Sequence, residues 1–168
     1  MATYYNIQSQ VTTAGGIPLV IDIEEGSHDP NKPVKDGTWL DAFTPTGNDN
    51  QWWELVLDTA SGYHFIQSKL TDLDGDPLVI DIHGGNEPVK PNVSLDVYKK
   101  KSSDYDNQLW QFVEQSGQPG WYTIQSKMAD ENGNTLVIDI RGASDKPGTR
   151  LDAFTLNGNP NQLWQLAG

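Results

Sequence analysis

Three aspartates lie within short apolar runs, where a carboxylate needs a specific reason to be. Each stands in the sequence Leu-Val-Ile-Asp-Ile, at Asp22, Asp81 and Asp139, and the spacings between them are 59 and 58 positions. Placing an unpaired carboxylate among apolar side chains is unfavourable. A carboxylate can, however, accept hydrogen bonds from two adjacent hydroxyl groups, and such charge-assisted bonds are the stronger kind. The three aspartates are therefore candidates for binding a ligand that carries neighbouring hydroxyls.

Two further groups of chemically useful side chains recur in step with these aspartates. One is an aromatic residue in Leu-Asp-x-aromatic, whose flat ring can cover the apolar face of a ligand. The other is the amide pair of Asn-Gln-x-Trp: the Asn offers a donor and an acceptor on one rigid group, and the Gln can fix the orientation of a carboxylate, which reduces the ordering penalty of binding. The aromatic residues are Phe43, Tyr98 and Phe154, and the amide pairs are Asn50-Gln51, Asn107-Gln108 and Asn161-Gln162.

These features occur three times in the same order, which indicates an internal repeat. We predict a single domain over 1–168, with repeats of about 1–57, 58–115 and 116–168. Each repeat reads as four short strands that Gly, Pro, Asn and Asp interrupt, and no segment keeps a helical period. The fold class predicted is therefore all-β, a closed barrel of about twelve short strands with threefold pseudo-symmetry. The tryptophans of the Asn-Gln-x-Trp motifs are predicted to lie in its core.

The alternation of side chains along a strand places the candidate aspartates opposite the core. In the run 19–23, one face carries Leu19, Ile21 and Ile23. Asp22 therefore points the other way. The same rule places Asp41 and Phe43 outward on the next strand. We expect the three aspartates to be exposed, so that replacing them leaves the fold intact, and to have an ordinary pKa near 3.9.

Composition excludes several classes of function. The formal net charge of −12 argues against nucleic acid, whose phosphates require basic patches, and against anionic membrane surfaces. The absence of cysteine excludes disulfides, thiolate zinc sites and cysteine nucleophiles. No apolar run approaches the ~18 residues of a membrane span. Because no signal peptide is recognisable, we expect a cytoplasmic or non-classically released protein.

No metal or cofactor is expected. The segment Asp72–Asp76 resembles the beginning of a calcium-binding loop, but the rest of such a loop, with its bidentate Glu, is missing. A hairpin turn with glycine at a positive φ explains the segment better.

The repeated pattern resembles the ricin B-type lectin family, which is defined by three Gln-x-Trp repeats of this length, and the resemblance covers nearly the whole chain. It implies a β-trefoil with one shallow sugar pocket in each repeat, usually for galactose or N-acetylgalactosamine. It also implies that the Asp accepts hydrogen bonds from sugar hydroxyls, the aromatic ring stacks on the sugar, the Asn bonds a hydroxyl and the Gln braces the Asp. The residues concerned are Asp22, Phe43, Asn50 and Gln51, then Asp81, Tyr98, Asn107 and Gln108, and finally Asp139, Phe154, Asn161 and Gln162.

The three repeats differ around these positions. The first repeat has an insertion over 24–33, which we expect to overhang its pocket. Three positions after the aromatic residue, the first repeat has Thr46, the second Lys101 and the third Asn157. These side chains differ in charge and in hydrogen-bonding groups. His83 follows the second aspartate by two positions. It is a candidate for lining the second pocket, but we expect it to be solvated.

The function predicted is a multivalent lectin whose partners are glycans, and not an enzyme. A β-trefoil protease inhibitor acting through its loops, with Pro30 and Pro33 as candidates, would leave the repeated side chains unexplained. A glycosidase using paired carboxylates such as Asp22 and Asp41 is a further alternative. Hydrolases usually build one site, however, whereas this chain has three copies of the candidate set.

Overall fold

The computed structural model of the protein describes residues 1–24, 33–85 and 89–168. Pro30 and most of the insertion of the first repeat lie outside these ranges, so the expected overhang stays a prediction. The described residues form twelve strands. These are β1 (Tyr4–Thr12), β2 (Pro18–Ile23), β3 (Thr38–Phe43), β4 (Trp53–Leu57), β5 (His64–Thr71), β6 (Pro77–Ile82), β7 (Val93–Lys99), β8 (Trp110–Glu114), β9 (Tyr122–Ala129), β10 (Thr135–Ile140), β11 (Thr149–Thr155) and β12 (Trp164–Ala167).

The helical segments of the described chain are short 3₁₀ turns. Three of them carry the Asn-Gln pairs and lead into the fourth strand of each repeat, at Asp49–Gln51, Asp106–Gln108 and Pro160–Gln162, and a fourth turn spans Arg141–Ala143. None of these segments is long and apolar enough to cross a membrane.

The first and fourth strands of the three repeats close into a barrel. Strand β1 pairs with β4 and β12, β5 pairs with β4 and β8, and β9 pairs with β8 and β12, all antiparallel. These six pairings form a ring without a free edge, which protects the strands from pairing with other chains.

The second and third strands of each repeat form a hairpin, and the three hairpins meet at one end of the barrel. Strand β3 pairs with β7, β7 pairs with β11, and β11 pairs with β3. Each third strand therefore contacts the next repeat as well as its own. The predicted all-β fold of about twelve strands with threefold pseudo-symmetry is confirmed.

A large apolar core, with residues from all three repeats, fills the barrel and the space beneath the hairpins, and Phe65, Val79 and Leu109 form a second, smaller cluster. The three predicted core tryptophans are fully buried at the start of β4, β8 and β12. Each indole N–H donates a hydrogen bond to a carbonyl oxygen of the second strand of its own repeat. The distances are 3.1 Å from Trp53 to Ile21, 3.0 Å from Trp110 to Ile80 and 3.0 Å from Trp164 to Ile138.

The acidic segment after β5 is a tight hairpin turn, as predicted. Gly75 has a φ of 84°, a left-handed conformation that glycine adopts without steric penalty. The carboxylate of Asp72 accepts hydrogen bonds from the backbone N–H groups of Asp74, at 2.9 Å, and Asp76, at 2.8 Å. The acidic side chain is thus used to hold the turn.

We expect Trp164→Phe to lower the free energy of unfolding by about 2–4 kcal/mol. The substitution removes the indole hydrogen bond, leaves the buried carbonyl of Ile138 without that donor and creates a cavity in the core. Urea denaturation measures the loss. Trp52→Phe is the matched control, because the indole of Trp52 is partly exposed and we expect a change within about 0.5 kcal/mol. Equal losses in both variants would contradict the structural role given to Trp164.

Candidate functional site

A buried carboxylate lies at the centre of each predicted site. In the third repeat, Oδ2 of Asp139 accepts a hydrogen bond from Nδ2 of Asn161 at 3.0 Å and another from Nε2 of Gln162 at 2.9 Å. The 3₁₀ turn places both amides over the end of β10. The first repeat repeats this arrangement with 2.9 Å from Asn50 and 2.7 Å from Gln51 to Asp22, and the second with 3.0 Å from Asn107 and 2.9 Å from Gln108 to Asp81.

The glutamine side chain hydrogen-bonds the second strand, the end of the third strand and the loop that follows it. Besides the bond to Asp139, Nε2 of Gln162 donates to the carbonyl of Thr155 at 3.0 Å, and its Oε1 accepts from the backbone N–H of Asn157 at 2.8 Å. All three glutamines are fully buried. They orient the aspartates, which is the bracing role that the resemblance implies.

The asparagine uses its nitrogen for hydrogen bonds within the protein, whereas its oxygen differs between the repeats. Nδ2 of Asn161 also donates to the carbonyl of Ile140 at 3.1 Å. The buried Oδ1 atoms of Asn50 and Asn161 have no hydrogen-bond partner among the described residues. Leaving a buried acceptor without a donor is unfavourable, so these oxygens are suited to receive a hydrogen bond from a ligand. In the second repeat, Nζ of Lys101 donates to Oδ1 of Asn107 at 2.8 Å.

Two open cavities contain the predicted groups. In the second repeat, a cavity of about 290 Å³ is lined by Asp81, Tyr98 and Asn107. In the third, a cavity of about 280 Å³ contains the equivalent set and further asparagines. Its lining consists of Asn92, Asp139, Gly142, Ala143, Phe154, Asn157, Asn159 and Asn161.

The aromatic rings are accessible to a ligand. Tyr98 and Phe43 are each 37% exposed, and Phe154 is partly buried. Phe43 is at the end of β3, opposite Val20 on the strand that carries Asp22. The structure therefore brings Asp, Asn and Gln into contact in every repeat and places the aromatic ring beside them.

The expectation that the three aspartates are exposed is wrong. They point away from the core, but Asp22, Asp81 and Asp139 are only 6%, 4% and 4% exposed, because the Asn-Gln turns cover them. Their replacement by alanine would therefore disturb the fold as well as any bound ligand.

Each of these aspartates also lies directly across the hairpin from a second buried aspartate. The pairs are Asp22 with Asp41, Asp81 with Asp96, and Asp139 with Asp152. Like charges opposite each other on neighbouring strands are destabilising. The sequence suggested paired carboxylates at Asp22 and Asp41 only for a glycosidase alternative. It did not predict that the equivalent aspartates of every repeat lie opposite each other across the hairpin.

The three pairs have different neighbours. In the third repeat, Arg141 donates two hydrogen bonds to Asp152, at 2.9 and 2.7 Å. In the second, Nδ1 of His83 lies 2.9 Å from Oδ2 of Asp96. The side chain of His83 is 58% exposed, in agreement with the expected solvated histidine, and it also contacts a carboxylate and lines the second cavity.

Burial changes the protonation of these carboxyls. Burial, reinforced by the charge of Asp22, raises the pKa of Asp41 to about 8. Burial, with the charge of Asp96 next, raises the pKa of Asp81 to about 7, and burial raises that of Asp139 to about 6. The expectation of an ordinary pKa is therefore wrong for Asp81 and Asp139, because it assumed exposed carboxyls.

Residues 106–168 match the family model of the ricin-type β-trefoil lectin domain-like group. This segment contains the second Asn-Gln-x-Trp motif and the entire third repeat. The chain has the β-trefoil fold of the ricin B-type lectins. The predicted resemblance is thereby confirmed. No curated protein sequence matches the chain significantly.

Solved structures share this β-trefoil. The designed threefold-symmetric protein ThreeFoil is 22% identical, with a TM-score of 0.74 over 98% of both chains. An exo-β-1,3-galactanase from Clostridium thermocellum is 24% identical, with a TM-score of 0.71 over 98% of this chain but 30% of that one. A ricin B-like lectin from Macrolepiota procera, in complex with lactose, is 17% identical, with a TM-score of 0.61 over 99% of this chain and 95% of that one.

We expect Asp41→Asn to stabilise the β-trefoil at alkaline pH. A carboxyl whose pKa is raised in the folded state contributes stability below its unfolded pKa and loses it as pH rises through its folded pKa, here about 8. Asparagine keeps the shape without the charge. Its advantage over the unsubstituted protein should therefore grow as pH rises from about 4, and above pH 8 it should exceed about 1.4 kcal/mol, the equivalent of one pKa unit.

Asp152→Asn is the control for this prediction, measured by urea denaturation across the same pH range. Asp152 forms an ion pair with Arg141, so its neutralisation removes a favourable interaction, and we expect a loss of stability. The explanation fails if both substitutions change stability in the same direction, or if the effect of Asp41→Asn does not depend on pH.

Proposed function

We propose that this protein is a carbohydrate-binding lectin, with one pocket for a galactose or N-acetylgalactosamine unit in each repeat. The observation that carries the proposal is the grouping of a braced carboxylate, an asparagine and an accessible aromatic ring around an open cavity. This grouping occurs in the second and third repeats, and the first repeat holds the same side chains.

Each group matches one feature of a sugar. Sugar hydroxyls are donors and acceptors, so neighbouring hydroxyls can donate to a carboxylate such as Asp139. The buried Oδ1 of Asn161, without a partner among the described residues, can accept from a further hydroxyl. The C–H face of a galactose-type ring can pack on the ring of Phe154.

The sugar class is supported by resemblance. The ricin B-type pattern implies galactose or N-acetylgalactosamine, and the Macrolepiota procera lectin, which shares the fold, is in complex with lactose. Lactose contains galactose and is therefore a suitable first ligand for tests.

Binding without catalysis is the second part of the proposal. Glycoside hydrolysis needs two carboxyl groups on either side of the scissile bond. Here the members of each pair, such as Asp139 and Asp152, are direct cross-strand neighbours, and Asp152 is fully buried and does not line the third cavity. This arrangement favours holding a sugar over cleaving it. The galactanase that shares the fold extends well beyond the matched part, which is 30% of its chain.

Several weak pockets on one rigid domain favour multivalent binding. A shallow site with a few hydrogen bonds and one stacked ring is expected to be weak, and a Kd of ~1 mM corresponds to only about −4 kcal/mol. On a surface dense in glycans, a second occupied pocket can raise the avidity by about 10²–10⁴ without any new contact. We therefore expect the protein to agglutinate cells or to precipitate branched glycoproteins.

Substituting the aromatic residue should weaken its own pocket alone. We expect Phe154→Ala to reduce lactose binding at the third pocket by about tenfold, because it removes the ring that covers the sugar. Tyr98→Phe should have little effect on the second pocket, since it keeps the ring face. Amide chemical shifts followed by NMR during a lactose titration report each pocket separately.

Two results would contradict this assignment. If Phe154→Ala leaves the shifts near Asp139 and Asn161 unchanged, the third cavity is not the sugar site. If a monovalent sugar titrated by calorimetry binds at one site per monomeric chain, the multivalent form of the proposal is wrong.

Lactose binding at the third pocket should weaken as pH falls through about 6, the raised pKa of Asp139. The ionised carboxylate is the better acceptor, so affinity is present above this pH and decreases as the carboxyl gains a proton. The comparison is made by NMR titration above and below this pH. An affinity that stays constant until the pH approaches ~4, the range of an ordinary carboxyl, would exclude this role for Asp139.

A further inference from the structure

The third pocket includes a residue from the second repeat. Asn92 lines this cavity together with Phe154. It immediately precedes β7, and its backbone N–H donates to the carbonyl of Ala153 at 3.0 Å, which places it beside the strand end that carries the aromatic ring. The equivalent residues of the other repeats are Gly37 and Gly148, whose N–H groups donate to Val97 and Ala42, both at 2.8 Å.

The backbone at this position is left-handed in all three repeats. The φ angles are 83° at Gly37, 73° at Asn92 and 87° at Gly148. Glycine adopts this conformation freely, whereas other residues do so at a steric penalty that is smallest for Asn and Asp. The chain therefore carries a side chain here in one repeat although glycine suits the backbone in the other two.

Packing does not require that side chain. A Cβ atom built at Gly37 would meet no atom within 4 Å, so the position is open to the surface. Asn92 itself is exposed. The amide of Asn92 therefore does not contribute to the core. It borders the third cavity.

A second residue of the same kind lies in this cavity. Among the described residues, the non-glycine residues with positive φ are Asn92, Asp104 and Ala143, and two of these three line the third pocket. Ala143 takes the place held by Gly85 in the second pocket, four positions after the central aspartate. Residues in unfavourable backbone conformations tend to cluster at ligand sites, and this cluster marks the third pocket.

The two cavities also differ in the charge of their linings. The second contains Lys101 and His83. The third contains four asparagines, at positions 92, 157, 159 and 161, and Asp139 as its ionisable group. Amides pair well with neutral hydroxyls, because each offers both a donor and an acceptor.

We propose that Asn92 is a specificity-determining residue of the third pocket, which hydrogen-bonds a hydroxyl of a neutral glycan across the boundary between two repeats. The second pocket has Gly37 at this position and lacks the contact, so the two pockets have different affinities for the same neutral sugar. This inference rests on the proposed lectin function and adds a binding residue that the threefold pattern does not contain.

The test uses proteins with one intact pocket. Phe43→Ala with Tyr98→Ala leaves the third pocket, and Phe43→Ala with Phe154→Ala leaves the second. We expect Asn92→Gly to weaken lactose binding to the third pocket by about threefold to tenfold, the value of one neutral hydrogen bond. The free energy of unfolding should stay the same or increase, because glycine suits the left-handed backbone.

The same substitution in the second-pocket protein is the matched control, and lactose affinity there should not change. The inference about Asn92 is overturned if Asn92→Gly leaves the third pocket unaffected, or if it weakens both pockets equally. If the unsubstituted protein binds neither lactose nor N-acetylgalactosamine, the proposed function itself is wrong, and the two failures are thereby distinguished.

Discussion

The hydrogen bonds between a buried aspartate and the Asn-Gln turn organise both the fold and the candidate site. Oδ2 of Asp139 accepts from two amides, and the glutamine also binds backbone groups of the loop after β11. The tryptophan two positions after that glutamine is bound to the carbonyl of Ile138, one residue before the aspartate. One short turn therefore fixes the second strand, the end of the third and the start of the fourth. Any side chain that the turn presents to the pocket is held by the same bonds that hold the repeat together.

Each hairpin carries a second buried aspartate opposite the first, and this pairing lowers the stability of the fold. Two carboxyls directly across a hairpin repel each other when ionised, and burial raises that penalty. The three repeats reduce this repulsion in different ways. Arg141 binds Asp152 in the third repeat, and His83 contacts Asp96 in the second. In the first repeat, burial and the neighbouring charge raise the pKa of Asp41, which favours its neutral form. Natural proteins commonly retain unfavourable groups where function requires them. Both carboxyls are nevertheless present in each repeat, and the first of each pair is held by the amides of the Asn-Gln turn.

The sequence predicted which side chains come together in each candidate site, because the Asp, aromatic and Asn-Gln positions recur in fixed order. It predicted the direction of the side chains through the period-two rule, but not their burial: both faces of β2 are covered, and Val20 is as buried as Ile21. The aspartate pairs depend on hairpin register across loops of unequal length, which the spacing alone does not determine. Comparing the repeats in the sequence does not link Asn92 to the third pocket, because the other residues that line this pocket belong to the next repeat.

The pockets share the same central hydrogen bonds but differ at their rims. The Asn-to-Asp distances are 2.9, 3.0 and 3.0 Å, and the Gln-to-Asp distances are 2.7, 2.9 and 2.9 Å, so the central geometry is nearly identical in the three repeats. Close packing enforces this agreement, because small displacements in a dense core are costly. The rim, with the partly buried Lys101 in one pocket and the exposed Asn92 in another, escapes that constraint. If the proposed pockets bind sugars, we expect differences in affinity between them to arise at the rim, where the chain can vary a side chain without disturbing the barrel.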